Sequence, residues 1–413
     1  MSQSRRDRYA AWGLTWVAYA SYYFGRKGFS VVKSTLRHTL GVSEYSLGVI
    51  DTLYLSSYAL GLFFSGYLGD RVGARRLIGY GLIASAAACT AFGATSFAVG
   101  FGALFFLNGL AQSTGWPGTT RAMSEWTTPQ NRGTVMAFWC TCYQVGSIAA
   151  TDFAAYLFHK HGWRAAFFGP ASWMLVVALL ILFFLKRGDA PPASTDRVLE
   201  ELPAAAALRE AAQRAAYKNP VLWAFGASYF FIKYVRYALL FWLPYYLSAT
   251  LGYAPDRAAY ISNAFEAGGI VGVIALGAFS DRVRALSRAA LSILSLLGLA
   301  MALLACQSFG QHTALTVVSL ALVGALLFGP DALLSGAAAQ DAGGVAAAAT
   351  ATGLVNGVGS LGGILEGLTL PAISAHFGWK AMFPLLAGLA VCAAVALIPA
   401  TRKPDVRAAL GAG

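Results

Sequence analysis

Four basic residues stand inside long apolar stretches of the chain: Arg26, Lys27, Lys233 and Arg236. A charge at mid-membrane costs about 2.5–3.5 kcal/mol on insertion scales, so such residues ordinarily face a polar cavity. Snorkelling to an interface is the other reading. It suits Lys27, near the end of its stretch, better than Arg236, which has apolar sequence on both sides. Tyr19, Tyr23 and Arg26 are spaced i, i+4 and i+7, which is one face of a helix. Adding 210 to each number gives Tyr229, Lys233 and Arg236. Two related helices therefore aim an arginine at one axis. Opposed guanidiniums repel unless an anion lies between them, and their planar forks suit the oxygen pair of a phosphate or a carboxylate. The tyrosines can donate hydrogen bonds and wall the space. The competing reading pairs each arginine inside its own half of the chain.

Asp51, Asp152, Glu266, Asp331 and Glu366 lie in or near the same stretches and are candidate partners. Glu266, in NAFEAGGIVG, is expected to meet Lys233, directly or through Arg236, or to bond Asn263. Glu266 and Asp51 are also the candidate proton carriers, while Asp51 and Glu366 fit equally well as hydrogen-bonded structural acids. The five histidines stand near the ends of the stretches, so none is a mid-membrane relay. Gly353 and Gly357, in TGLVNGVGSLGGILEG, and Gly146, in YQVGSIAA, have the small-residue spacing of close helix packing. Asn356 is polar in that setting and is a candidate for the cavity wall. In NGLAQSTGWPGTTRAMSEW, Pro117 breaks a helix ladder, and Asn108, Gln112 and Trp116 offer polar or aromatic surface.

The elements that must hold these residues are long helices. The chain has 413 residues, 57% hydrophobic and only 12% charged, too little charge to cover a soluble protein of this size. Hydrophobic runs predict twelve spans, at 9–31, 44–69, 77–97, 100–121, 134–158, 165–186, 219–249, 257–281, 289–307, 313–336, 345–373 and 379–400. The architecture is an all-α membrane protein. Residues 1–186 form the first six-helix unit, 187–218 a polar linker whose middle can lie on the membrane surface as an amphipathic helix, and 219–413 the second unit. The start, MSQSRRDRY, is short and basic and runs into a full span, so the first helix is expected to stay in the protein. A net charge of +12 would suggest nucleic acid in a soluble protein, but here it is a topology signal. Of 30 lysines and arginines, twenty fall on one side and six on the other (Lys33, Arg37, Lys160, Arg164, Arg257 and Lys380), the remaining four being intramembrane. The rich side, with both termini, is expected to be cytoplasmic. Five cysteines lie inside apolar spans, with no metal-ligand spacing or disulfide framework. No nucleophile elbow, phosphate loop, metal motif or cofactor site is present, so an enzyme is not expected.

The halves are related. GYLGDRVGARR (66–76) follows the second span and GAFSDRVRALS (277–287) the eighth; KHGWRAAF (160–167) opens the sixth and HFGWKAMF (376–383) the twelfth. Asp70 with Arg71, and Asp281 with Arg282, are expected to form a charge latch between helices on the cytoplasmic side. This parallel repeat and the Gly-Asp-Arg loop resemble the major facilitator superfamily, which implies two pseudo-symmetric six-helix bundles and alternating access. Within it the chain resembles the organophosphate:phosphate antiporters. YYFGRKGFSVV resembles their first helix, FLNGLAQSTGWPGTTRAMSEW their fourth, KYVRYALLFWLPYYL their seventh and NAFEAGGIVGVIALGAFSDR their eighth. The resemblance implies that Arg26 and Arg236 clamp phosphate, with Tyr19, Tyr23 and Tyr237 nearby. Leu62 stands where bacterial members often carry a lysine, and Tyr143 where glycerol-3-phosphate transporters carry a histidine. Lys233 stands where eukaryotic sugar-phosphate relatives tend to have a lysine. The resemblance implies exchange of a small organophosphate for inorganic phosphate by a monomer, in a bacterial inner membrane. Proton-coupled uptake of an organic anion and a membrane sugar-phosphate sensor are the alternatives.

Overall fold

The computed structural model describes residues 3–127, 135, 139–186, 211, 214–282, 287–309 and 312–401. The helices are α1 (Gln3–Tyr22), α2 (Phe24–Leu40), α3 (Glu44–Val72), α4 (Ala74–Ala94), α5 (Ala98–Gln112), α6 (Gly115–Trp126), α7 (Cys142–His161) and α8 (Ala165–Phe184) in the first half. The second half has α9 (Pro220–Ala249), α10 (Pro255–Arg282), α11 (Arg288–Ser308), α12 (Thr313–Ala332), α13 (Ala338–Phe377), α14 (Met382–Ala396) and α15 (Ile398–Thr401). No strand occurs among the described residues. Seven helical segments among them are long and apolar enough to cross a membrane. The chain is a multi-pass integral membrane protein.

Local chemistry sets several boundaries. Asn219 caps α9, its side chain accepting from the Val221 amide at 2.9 Å, with Pro220 in the first turn, where its missing N–H costs nothing. Ser287 caps α11 in the same way. Two breaks fall inside expected spans. The first span is interrupted at Tyr23, where tight three-residue hydrogen bonds link Tyr23 to Ala20 and Arg26 to Tyr23. The fourth is interrupted at Ser113 and Thr114, just before Pro117. The breaks are bridged, because the Tyr22 hydroxyl lies 2.9 Å from Thr114 Oγ1.

The first span also runs further than expected, to Leu40. Lys33 is therefore no loop residue. It is fully buried and ion-paired to Asp51, which adds a fifth intramembrane cation and corrects the count of six on the sparse side. The loop expected between the tenth and eleventh spans is helical as well; a π-turn at Leu333–Ala337 leads straight into α13. The linker lies almost wholly outside the described residues. So do the side chains of Asp70, Arg71, Asp281 and Arg282, and with them the expected latch.

Packing repeats between the halves. α4 lies on α8 as α11 lies on α14, and α3 on α5 as α10 on α12. The halves meet through α3 on α13, α7 on α10, and α2 on α9 and α10. These contacts are concentrated at the face where α2 ends. There Arg37 pairs with Glu44, and Tyr245 of α9 donates to the same carboxylate at 2.6 Å. His159 meets Asp256 at 2.8 Å, and Asn263 donates to Asp152 at 2.6 Å. Gly48 and Gly367 let two backbones touch, since a Cβ on Gly48 would lie 2.0 Å from the Gly367 carbonyl oxygen. The molecule is closed at this face. Also close-packed within α13 are Gly359, Gly362 and Gly363, set against Tyr229, Phe230 and Tyr237. Gly353 and Gly357, expected in that role, meet open space among the described residues. Gly146 does pack as expected, against Ala20.

Candidate substrate-binding site

Arg26 sits one turn beyond the break at Tyr23. Its Nε donates to Gln112 Oε1 at 2.9 Å, and Tyr54 donates to the same oxygen at 2.9 Å. Gln112 is fixed in turn by Ser85 and Asn108, and the Asn108 amide donates to the Gly25 carbonyl at 2.7 Å. A Cβ at Gly25 would lie 2.3 Å from Gln112 Nε2, so this network needs the glycine. The guanidinium lies 4.5 Å from the Tyr23 ring centre, with Tyr54 and Tyr58 at 5.9 and 5.8 Å. Such contacts hold a cation in place without neutralising it. Tyr19 continues the aromatic wall, 5.1 Å from Tyr143 and 5.8 Å from Trp116 between ring centres.

In the second half, Arg236 Nη1 donates to Asp331 Oδ2 at 3.0 Å, and its guanidinium lies over Phe328. This arginine is paired inside its own half, as the competing reading of the sequence had it. The pairing is single-pronged, because Arg236 Nε and Asp331 Oδ1 are buried without a hydrogen-bond partner. Lys233 donates to Ser360 Oγ at 3.2 Å and lies 5.2 Å from the Tyr229 ring centre. Tyr237 stacks on Phe241, and Asn356 donates to the Thr352 carbonyl of its own helix. Tyr23 is within electrostatic reach of both Arg26 and Arg236.

The expected Lys233–Glu266 pair does not form. Glu266 Oε1 accepts from Ser147 at 2.8 Å and lies 3.9 Å from Lys27 Nζ. The cause is packing. α10 packs on α12 and α9 of its own half, but it also lies against α7 and α2 of the other, and its buried acid meets Ser147 and Lys27 there. Lys27 is therefore buried and paired across the halves, not snorkelling. Tyr54, Tyr58, Ser147 and Ser360 escaped the reading of the sequence. Only Tyr54 and Tyr58 carried a signal, the i, i+4 spacing already used at Tyr19 and Tyr23.

The sequence matches the Major Facilitator Superfamily over residues 15–367. The chain belongs to this superfamily. It is 28% identical to a probable hexose phosphate transport protein of Chlamydia pneumoniae, over 92% of this chain and 88% of the relative. It is 30% identical to putative glycerol-3-phosphate transporter 1 of Arabidopsis thaliana, over 93% of this chain and 86% of that one. Within the superfamily it belongs to the organophosphate:phosphate antiporter family. The fold is shared with a bacterial homolog of the human lysosomal transporter Spinster, in an inward-facing and unoccupied conformation. The TM-score is 0.75 at 16% identity, covering 96% of this chain and 95% of that one. Major facilitator proteins are transporters, and so is this chain; it is not an enzyme.

For a transporter that must open between its halves, the Lys27–Glu266 pair is a bond that breaks in each cycle. Glu266→Gln and Lys27→Met are expected to slow transport singly. The double variant is expected to recover part of the loss, with a coupling of about 0.5–3 kcal/mol. Initial transport rates of the four proteins check this, and simple additivity would show that the two residues act separately.

Proposed function

We propose that the protein exchanges a small organophosphate for inorganic phosphate by alternating access. The observation that carries this is the charge left over among the side chains of α2 and α9. Four cations stand there, and two carboxylates pair with Lys27 and Arg236. Among the described residues Arg26 and Lys233 bond neutral groups, Gln112 and Ser360. Among the described residues four cations thus share two carboxylates, Glu266 and Asp331, which leaves a surplus of two positive charges. A phosphate group carries about −1.5 to −2 at neutral pH, which matches that surplus; one carboxylate supplies half of it. In this reading Arg26 and Arg236 clamp the phosphate, the orphaned Nε of Arg236 gains an acceptor, and Lys233 adds charge. Tyr19, Tyr23, Tyr143, Tyr229, Tyr237 and Asn356 wall the organic moiety. The phosphorylated cargo named for the relatives supports the same class of substrate.

Counterflow decides between this and proton-coupled carboxylate uptake. Proteoliposomes loaded with inorganic phosphate are expected to take up sugar phosphates or glycerol phosphate and to ignore matched carboxylates. The exchange should be insensitive to a protonophore. Uptake of carboxylates that collapses with the proton gradient would sink the proposal, and tight phosphorylated-ligand binding without uptake would favour a sensor.

We propose further that the protein works as a monomer in a bacterial inner membrane with both termini in the cytoplasm. The closed face is then the outer one and the conformation is inward-facing. Cysteines placed at 190–215 are expected to react with an impermeant reagent only from the cytoplasmic side. Labelling from outside intact cells would reverse the topology.

A further inference from the structure

Three lysine or acidic side chains are fully buried around the contact between α3 and α13: Lys33, Asp51 and Glu366. Lys33 Nζ is bonded to Asp51 Oδ2 and stands 3.7 Å from the Trp242 ring centre. The other oxygen of Asp51 and both oxygens of Glu366 are buried without a well-formed hydrogen bond, and the donor beside Glu366 is the indole N–H of Trp242, likewise unsatisfied. The charged and titratable groups that face Glu366 come from three elements. They are Lys33 of α2, Asp51 of α3 and Tyr234 of α9, beside the indole of Trp242. The Tyr234 hydroxyl is already engaged by Thr369 at 2.7 Å.

One cation and two carboxyls share this space, and Lys33 neutralises Asp51. A second carboxylate would have only the neutral indole N–H of Trp242 to set against a like charge. A buried acid in that position takes up a proton instead, and neighbouring carboxyls cannot both ionise cheaply. The position in the fold says what the proton would do. Glu366 precedes Gly367, which rests on Gly48, and Thr52, next to Asp51, donates to the Ile364 carbonyl at 3.3 Å. The contact that closes this face therefore runs past both acids. We propose that Glu366 is a proton-binding site built into the seal between the halves, neutral while the seal is shut and ionised when it opens. Opening wets the carboxyl and lets the proton go; reclosure requires its return. By linkage, the proton then biases the open–shut equilibrium as strongly as that equilibrium biases the proton. A metal cation is a poorer occupant, since it needs several oxygen ligands where this pocket offers aromatic rings and an ammonium group. The inference does not depend on which anion is carried.

The test uses the full-length protein in lipid nanodiscs. Infrared difference spectra count protonated carboxyls. Spin labels at positions 45 and 377, exposed at the closed face, report opening in a background lacking the native cysteines. Glu366→Gln is expected to lose one protonated-carboxyl band relative to the parent. Lys33→Met should gain one, because Asp51 loses its cation. Raising the pH should lengthen the label distance in the parent and leave Glu366→Gln shut. If Lys33→Met fails to fold, the near-isosteric Glu366→Gln decides alone. An unchanged carboxyl band in that variant, or opening with pH as in the parent, would overturn the proposal. So would sodium reproducing the pH effect at constant pH.

Discussion

Arg26→Lys and Arg236→Lys are each expected to lower phosphate affinity and exchange by roughly 30- to 150-fold, the equivalent of about 2–3 kcal/mol. Lysine keeps the charge and loses the planar fork, and the fork is what meets two oxygens at once. The neutral variants separate the two positions. Arg26→Gln removes a cation that has no acid beside it among the described residues, so the site only loses attraction. Arg236→Gln leaves Asp331 facing the same space without its partner, and that carboxylate repels the anion. The second loss should be the larger, and adding Asp331→Asn should restore part of it while leaving Arg26→Gln unimproved. Phosphate binding measured by calorimetry and counterflow at matched expression gives both numbers. Near-normal binding by both lysine variants would make the arginines structural and place the anion elsewhere.

The second large effect is mechanical. Gly48→Val inserts a branched side chain where even a Cβ would stand 2.0 Å from a backbone oxygen of α13. The obstacle is main chain, so no side-chain rotation relieves it. Overpacking of this kind costs about 1–3 kcal/mol, and the cost falls only on the conformation in which α3 and α13 touch. The equilibrium between open and shut should therefore move by about 5- to 150-fold toward opening at this face. A reactive cysteine beside the seal should become accessible from that side, with net exchange falling in parallel. Unchanged accessibility with normal exchange would mean that the two backbones never approach this closely in the working cycle.

What could be read in the sequence was what one helix says about itself. Tyr19, Tyr23 and Arg26 share a face whatever surrounds them, and the 210-residue echo at Tyr229, Lys233 and Arg236 shows that the pattern serves a common axis. Partners were harder, because they depend on which helix lies opposite. Glu266 is close to Lys233 in sequence and belongs to Lys27 in space. Lys33 looked like a loop residue because Arg37 and His38 follow it and lower the local hydropathy. An ion pair with Asp51 does not register in an average. The glycines of α13 show a related limit. Several small-residue spacings coexist in that helix, and only the neighbours α9 and α3 decide which one is used.

The pairing of the buried lysines has a consequence for how the chain is made. Helices leave the ribosome in order, and a lysine must enter the lipid before any later residue exists. Lys33 waits briefly: Asp51 lies two turns into the very next helix, so the two can cross together as a neutral pair. Lys27 has no such early companion. Its acid, Glu266, belongs to the second half and is made long afterwards. Until then the nascent first half carries Lys27 and Arg26 with only uncharged company. During biogenesis it should hold water or lipid headgroups against the face that later closes on α10, and a chain truncated before α10 should be the form most readily taken up by membrane quality control.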